Sequence, residues 1–119
     1  MLEVGIQSWN AGRIFNWVLT YTPNGSNGIN QQLIALPNNI GNLTNLGNLY
    51  LEWNQISDLP ESFGNLSSLT NFAISNNYLS SLPSNFGDLS NLIFLDLGYN
   101  KIESIPASIS NLQNIMFKN

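Results

Sequence analysis

Apolar side chains recur along this chain as a spaced phrase rather than as runs. Residues 36–58 read LPNNIGNLTNLGNLYLEWNQISD, residues 59–81 LPESFGNLSSLTNFAISNNYLSS, and residues 82–104 LPSNFGDLSNLIFLDLGYNKIES. Prolines 37, 60, 83 and 106 and asparagines 54, 77 and 100 keep one step of 23 residues. A fixed period of that size predicts stacked units, each completing its neighbour's core. Within a copy the apolar-x-apolar stretch alternates with period two, as a short strand does. Copies stacked about 4.8 Å apart would join those strands into one parallel sheet. The Leu-Pro pair then fixes φ and opens a segment too short, and too interrupted by Gly41, Gly64 and Gly87, for a full helix, so extended or 3₁₀ turns are expected there.

Aligning the copies separates inward from outward positions. The inward columns are Leu46, Leu69, Leu92 and Ile115; Leu49, Phe72 and Leu95; Leu51, Ile74 and Leu97; Ile56, Leu79 and Ile102; Leu36, Leu59, Leu82 and Ile105; Ile40, Phe63, Phe86 and Ile109; and Leu43, Leu66, Leu89 and Leu112. Each copy thus contributes about seven apolar side chains, worth roughly 1.5–3 kcal/mol each when fully buried, to a core no copy could close alone. The asparagine column follows the strand, where the chain turns and leaves backbone groups without ladder partners. An amide can satisfy donors and acceptors together, so Asn54, Asn77 and Asn100 read as structural residues rather than as ligand contacts.

The pattern L-x-x-L-x-L-x-x-N-x-[IL], carried by LTNLGNLYLEWNQISDLP, LSSLTNFAISNNYLSSLP and LSNLIFLDLGYNKIESIP, resembles the leucine-rich-repeat family, most closely its 23-residue LPxxIGNLxxLxxLxL type. The match covers about residues 32–117. It implies an α/β-type leucine-rich-repeat solenoid, a right-handed superhelix with a concave parallel β-sheet and a convex side of 3₁₀ or extended turns. In the family the asparagines stack as a ladder, and ligands usually meet the outward residues of the concave face.

The ends depart from the phrase. IFNWVL at 14–19 fits the strand template with Ile14, Trp17 and Leu19 inward, and QLIALP at 32–37 fits the end of a repeat. Residues 20–31 between them are longer than the template and carry Asn24-Gly25 and Asn27-Gly28, which favour tight turns. That insertion reads either as a flap over a ligand or as a surface loop. The alternating LEVGIQSW upstream predicts an antiparallel strand, hence an N-terminal β-hairpin cap over an otherwise exposed core. One domain results: cap and divergent first repeat at 1–35, full repeats at 36–58, 59–81 and 82–104, and a partial repeat at 105–119. In the 23-residue register Phe117 joins the outward column and Lys118 falls on an inward leucine column, leaving an open sheet edge. Two readings follow: homodimerisation through that edge, or a fragment of a longer array.

Composition narrows what such an object does. Only 8 % of the 119 residues are charged, while asparagine alone accounts for 21, and three basic residues stand against seven acidic ones. No basic stripe can neutralise phosphates, so neither nucleic acid nor anionic lipid is an expected partner. Cysteine and histidine are absent, which removes thiolate nucleophiles, zinc ligand sets and the commonest general base; no cofactor or metal is implied. No apolar run approaches the ~20 residues of a membrane helix. The start has no leader-like segment, so the expectation is a cytoplasmic chain if Met1 is the native start and a secreted one if a leader has been removed. Sequons occur at Asn24, Asn42 and Asn65, of which the last two belong to the repeat phrase and are expected at convex turns.

The outward columns are Asn16, Asn48, Asn71, Phe94 and Phe117; Val18, Tyr50, Ala73 and Asp96; Thr20, Glu52, Ser75 and Gly98; and Tyr21, Trp53, Asn76 and Tyr99. Large aromatics at positions free to be polar suggest a contact surface, though neighbouring rings could simply pack on one another across the sheet. Glu52 and Asp96 add acidity that favours a basic or amine-bearing partner. They lie two repeats apart, roughly 10 Å, with no histidine or phosphate loop beside them, so catalysis is not expected. The sequence therefore predicts a non-enzymatic protein–protein interaction module. Its candidate binding face is Asn48, Tyr50, Glu52, Trp53, Asn71, Asn76, Phe94, Asp96 and Tyr99. The alternatives are a structural or assembly role through the open C-terminal end, and a recognition segment of a larger multidomain protein.

Overall fold

The structure, a computed structural model, describes residues 6–10, 13–22, 31–112 and 115–118. Six strands lie in one sheet in chain order: β1 (Ile6–Asn10), β2 (Arg13–Val18), β3 (Asn48–Tyr50), β4 (Asn71–Ala73), β5 (Phe94–Asp96) and β6 (Met116–Lys118). β1 runs antiparallel to β2 as the cap hairpin, and β2 through β6 are parallel neighbours. Between strands the chain crosses the opposite side through 3₁₀ turns at Ile40–Asn42, Glu61–Asn65, Phe86–Asp88 and Ala107–Asn111. Pro60 and Pro106 stand in extended conformation immediately before two of these turns, as their fixed φ requires. Asn42 and Asn65 are exposed at the last positions of their turns.

The strands are three residues long in the central copies, but the pairing continues into the loops beyond them. Leu51 N–H donates to Ala73 O, Trp53 N–H to Ser75 O and Asn76 N–H to Gly98 O at 2.8–3.1 Å, so neighbouring copies stay in step past the strand ends. The inward columns close a continuous core. Leu46, Leu49, Leu51, Ile56, Leu66, Leu69, Phe72, Ile74 and Leu79 are fully buried. Phe63, Phe72 and Phe86 meet ring to ring, with Phe63 and Phe86 parallel at 6.0 Å and Phe72 tilted against both; such contacts add about 0.5–1.5 kcal/mol beyond area burial.

Two details of the fourth copy correct the 23-residue register. Phe94 pairs with Met116, Leu95 with Phe117 and Asp96 with Lys118. Phe117 therefore stands in the backbone register of the inward column and Lys118 in that of the outward one, the reverse of the expectation. Ile115 still packs against the core, so the copy has lost one residue between its first and second strand positions. Ile105, expected inward, is 48 % exposed, whereas Leu36, Leu59 and Leu82 of the same column, each with a further copy stacked on it, are buried.

The asparagine column works as the sequence suggested. Asn77 Nδ2 donates to Leu51 O of the preceding copy (3.0 Å) and Ile74 O of its own (3.1 Å), while its Oδ1 accepts from Ile56 N–H (3.0 Å). Asn54 and Asn100 repeat this arrangement with Leu19, Leu51 and Leu33, and with Ile74, Leu97 and Leu79.

A second ladder runs on the convex side. Ser62 Oγ donates to Asn38 O and accepts from Gly41 N–H, and Ser108 Oγ does the same with Ser84 O and Gly87 N–H. The glycines admit this approach: a Cβ at Gly41 or Gly87 would overlap the carbonyl oxygen of Ser62 or Ser108. Asn85 occupies the same column but only half fills the role. Its Nδ2 donates to Glu61 O (2.8 Å), whereas its buried Oδ1 has no partner among the described residues.

Two stability changes of opposite sign follow. Asn77→Ala strands Leu51 O, Ile74 O and Ile56 N–H and lowers the unfolding free energy by about 3 kcal/mol, since each buried unpaired group costs roughly 1–3 kcal/mol. Asn85→Ser supplies the hydroxyl that its column neighbours use and raises it by roughly 0.5–1.5 kcal/mol. Denaturant titration followed by circular dichroism reads both; a neutral Asn77→Ala would refute the ladder as the main polar tie between copies.

Candidate functional site

Register puts all nine candidate residues on the outward face of the sheet or on the margin where its strands end. They fall into two groups that differ in exposure. On the strands, Asn48, Asn71 and Phe94 are successive neighbours, as are Tyr50, Ala73 and Asp96. Asn71 Nδ2 donates to Asn48 Oδ1 at 2.6 Å, tying the first two together. Tyr50, Phe94 and Asp96 are half-buried, and Asp96 accepts from Gly98 N–H (3.0 Å). Ala73, an outward residue, is nonetheless 2 % exposed. A methyl on an open sheet face is hidden only if side chains of adjacent strands lean over it, so the middle of this face is partly closed by its own residues.

The margin is different. Trp53, Asn76 and Tyr99 each precede a ladder asparagine, and all three have positive φ, at 63°, 60° and 54°. This left-handed residue turns the corner that delivers the next asparagine side chain into the interior. It also breaks the strand alternation, so that Glu52 and Trp53 both face outward in succession. Asparagine tolerates this conformation, whereas a bulky side chain costs about 1–2 kcal/mol there. Tyr99 is 81 % exposed, so its ring recovers little of that cost by burial in the chain itself, while Trp53, 57 % exposed, recovers part of it. Two repeats separate the rings, roughly 10 Å along the sheet, with Asn76 between.

Beside Trp53 lies a cleft of about 480 Å³ lined by Thr20, Tyr21, Thr22, Gln32 and Trp53. Several bonds hold its walls. Tyr21 N–H donates to Glu52 O (3.0 Å), Gln32 Nε2 to Trp53 O (2.9 Å), and Gln55 Nε2 to Gln32 Oε1 (2.8 Å). Thr20 Oγ1 donates to a carboxylate oxygen of Glu52 at 2.6 Å. Sequence reasoning placed Gln32 at the end of a repeat but missed the cleft, because it followed only the apolar and strand-facing columns. The available signal was the column Gln32, Gln55, Tyr78 and Lys101, which keeps the 23-residue step. Residues 23–30, where a flap or a surface loop was expected, lie outside the described residues.

Among the described residues no group of three or more His, Cys, Asp or Glu could hold a metal ion, and no helix is long and apolar enough to cross a membrane.

Comparison with known proteins agrees with this architecture. Family profiles described as Leucine rich repeat match residues 67–117 and 45–66. Among solved structures, a leucine-rich-repeat protein of Leptospira interrogans superposes with a TM-score of 0.72 at 36 % identity, covering 76 % of this chain. The chain spans about a quarter of that protein, 23 % of its length. No curated protein matches the sequence.

The corner geometry makes a stability prediction. Tyr99→Asn, which gives the position the residue already present at 76, raises the unfolding free energy by up to about 1 kcal/mol, or ~4–8 °C in midpoint temperature. A thermal melt showing clear loss of stability would mean that the Tyr99 ring contributes more to the fold than its exposure indicates.

Proposed function

This chain belongs to the leucine-rich-repeat family, and from that premise we propose that it is a protein-recognition module that holds a partner across its concave sheet and the margin at the strand ends. Members of the family commonly serve as protein-interaction modules and are generally non-enzymatic. The observation that carries the reading to particular residues is the pair Trp53 and Tyr99. Both are large, exposed rings held at positive φ, at a position that Asn76 fills with less strain. Strained, exposed aromatics disfavour the free fold and favour contact, since Trp and Tyr dominate the energetics of protein interfaces.

In this reading the two rings are the anchors. The strand residues Asn48, Asn71, Tyr50, Phe94 and Asp96 form the floor between and below them, with Asn76 at the centre of the margin and Glu52 beside Trp53. The Asn71–Asn48 hydrogen bond and the bond from Gly98 N–H to Asp96 fix part of this floor, and a preformed surface lowers the ordering cost of association.

The test is a paired capture experiment with the parent chain and a Trp53→Asn, Tyr99→Asn variant, both verified folded by circular dichroism. The expected result is one protein retained by the parent and lost by the variant, with at least a hundredfold weaker binding, since two interface anchors of ~2 kcal/mol or more are removed. A partner bound equally by both chains would remove the margin from the site.

A further inference from the structure

We propose that the cleft beside Trp53 receives a lysine or arginine side chain of the partner, its cationic head held between the Trp53 ring and the Glu52 carboxylate. This deepens the recognition role proposed above and rests on it. Two observations on the cleft, and one on the chain's charges, carry it. The described lining of the cleft is mostly carbon: the rings of Trp53 and Tyr21, the threonine side chains at 20 and 22, and the amide of Gln32. An acidic group stands at its edge, because Glu52 accepts a hydrogen bond from Thr20, which lines the cleft. Apolar walls ending at a carboxylate complement a side chain that is aliphatic along its stem and charged at its tip, and an indole face adds cation–π attraction.

Among the described residues no cation is placed to reach this carboxylate. Arg13 lies at the opposite end of β2, seven residues from Thr20 or about 23 Å of extended chain, where its guanidinium donates to Asn45 Oδ1. Lys101 and Lys118 belong to copies two and three strand spacings from β3, about 10 and 14 Å before any lateral offset, beyond the ~8 Å over which salt leaves charges coupled. Asp96 differs, since its backbone pairs in register with that of Lys118 on β6. With a net charge of −4, the surface as a whole attracts a cationic partner, and among the described residues Glu52 is a concave carboxylate with no cation beside it.

The experiment is a selection from a displayed library of random peptides on the 119-residue chain, repeated on Glu52→Gln and on Trp53→Asn. Glu52→Gln keeps an oxygen for the Thr20 hydroxyl and removes only the charge. The proposal expects enriched peptides that share a lysine or arginine. Synthetic copies should bind Glu52→Gln about three- to tenfold more weakly, should weaken further with added salt, and should lose affinity when the basic residue becomes norleucine or citrulline. Peptides without a basic residue, enriched on the parent and lost on Trp53→Asn, would overturn the cation while leaving the recognition face intact. Peptides bound equally by all three chains would overturn both, as would a selection that enriches nothing.

Discussion

The hydrogen bonds of one amide side chain per repeat are what the rest of this protein depends on. Each strand is so short that it leaves the chain in need of a corner, and each corner strands carbonyls and amides inside an apolar stack. Asn54 and Asn77 are almost wholly buried there, and each reaches the backbone of its own copy and of the one before. A leucine at these positions would fill the space and leave the backbone unpaired, at a cost several times the gain from its methyl groups. The sheet, the core and the spacing of the outward residues all inherit their regularity from this contact.

The same corner links fold to surface. For the asparagine to point inward, the residue before it adopts a left-handed conformation, and its side chain is thereby aimed outward at the sheet margin. The position is structurally obligatory in its backbone and free in its side chain, which is where a scaffold can carry recognition without disturbing its core. Trp53 and Tyr99 occupy it at some conformational expense, and Asn76 occupies it with less.

Much of this was legible in the sequence because the phrase repeats. Inward and outward columns, the cap hairpin, the 3₁₀ turns and the amide ladder all follow from a constant step and from alternation. Part of what the step hid lies where it fails. The last copy is one residue short, between Ile115 and Phe117, which exchanges the registers of Phe117 and Lys118. Gln32 keeps the step with Gln55, but its column is neither apolar nor on the strands, so the glutamine completing the cleft was passed over. Column membership also says nothing of height above the surface. Tyr50 and Tyr99 read alike as outward aromatics, yet one is half-buried among its neighbours and the other stands in solvent.

The hydrogen bonds that tie copies together span between 21 and 26 residues in the central array, always from one repeat to the next. Connectivity of this kind is one-dimensional: the array behaves as a row of units with nearest-neighbour couplings, and it opens from its ends inward. Trp53 and Tyr99 sit on the first and third full units of that row. A ligand bound to both spans two of the couplings at once, so its binding energy is added to the resistance of the row against opening. Recognition and cooperativity are then the same quantity, measured once at the surface and once along the axis.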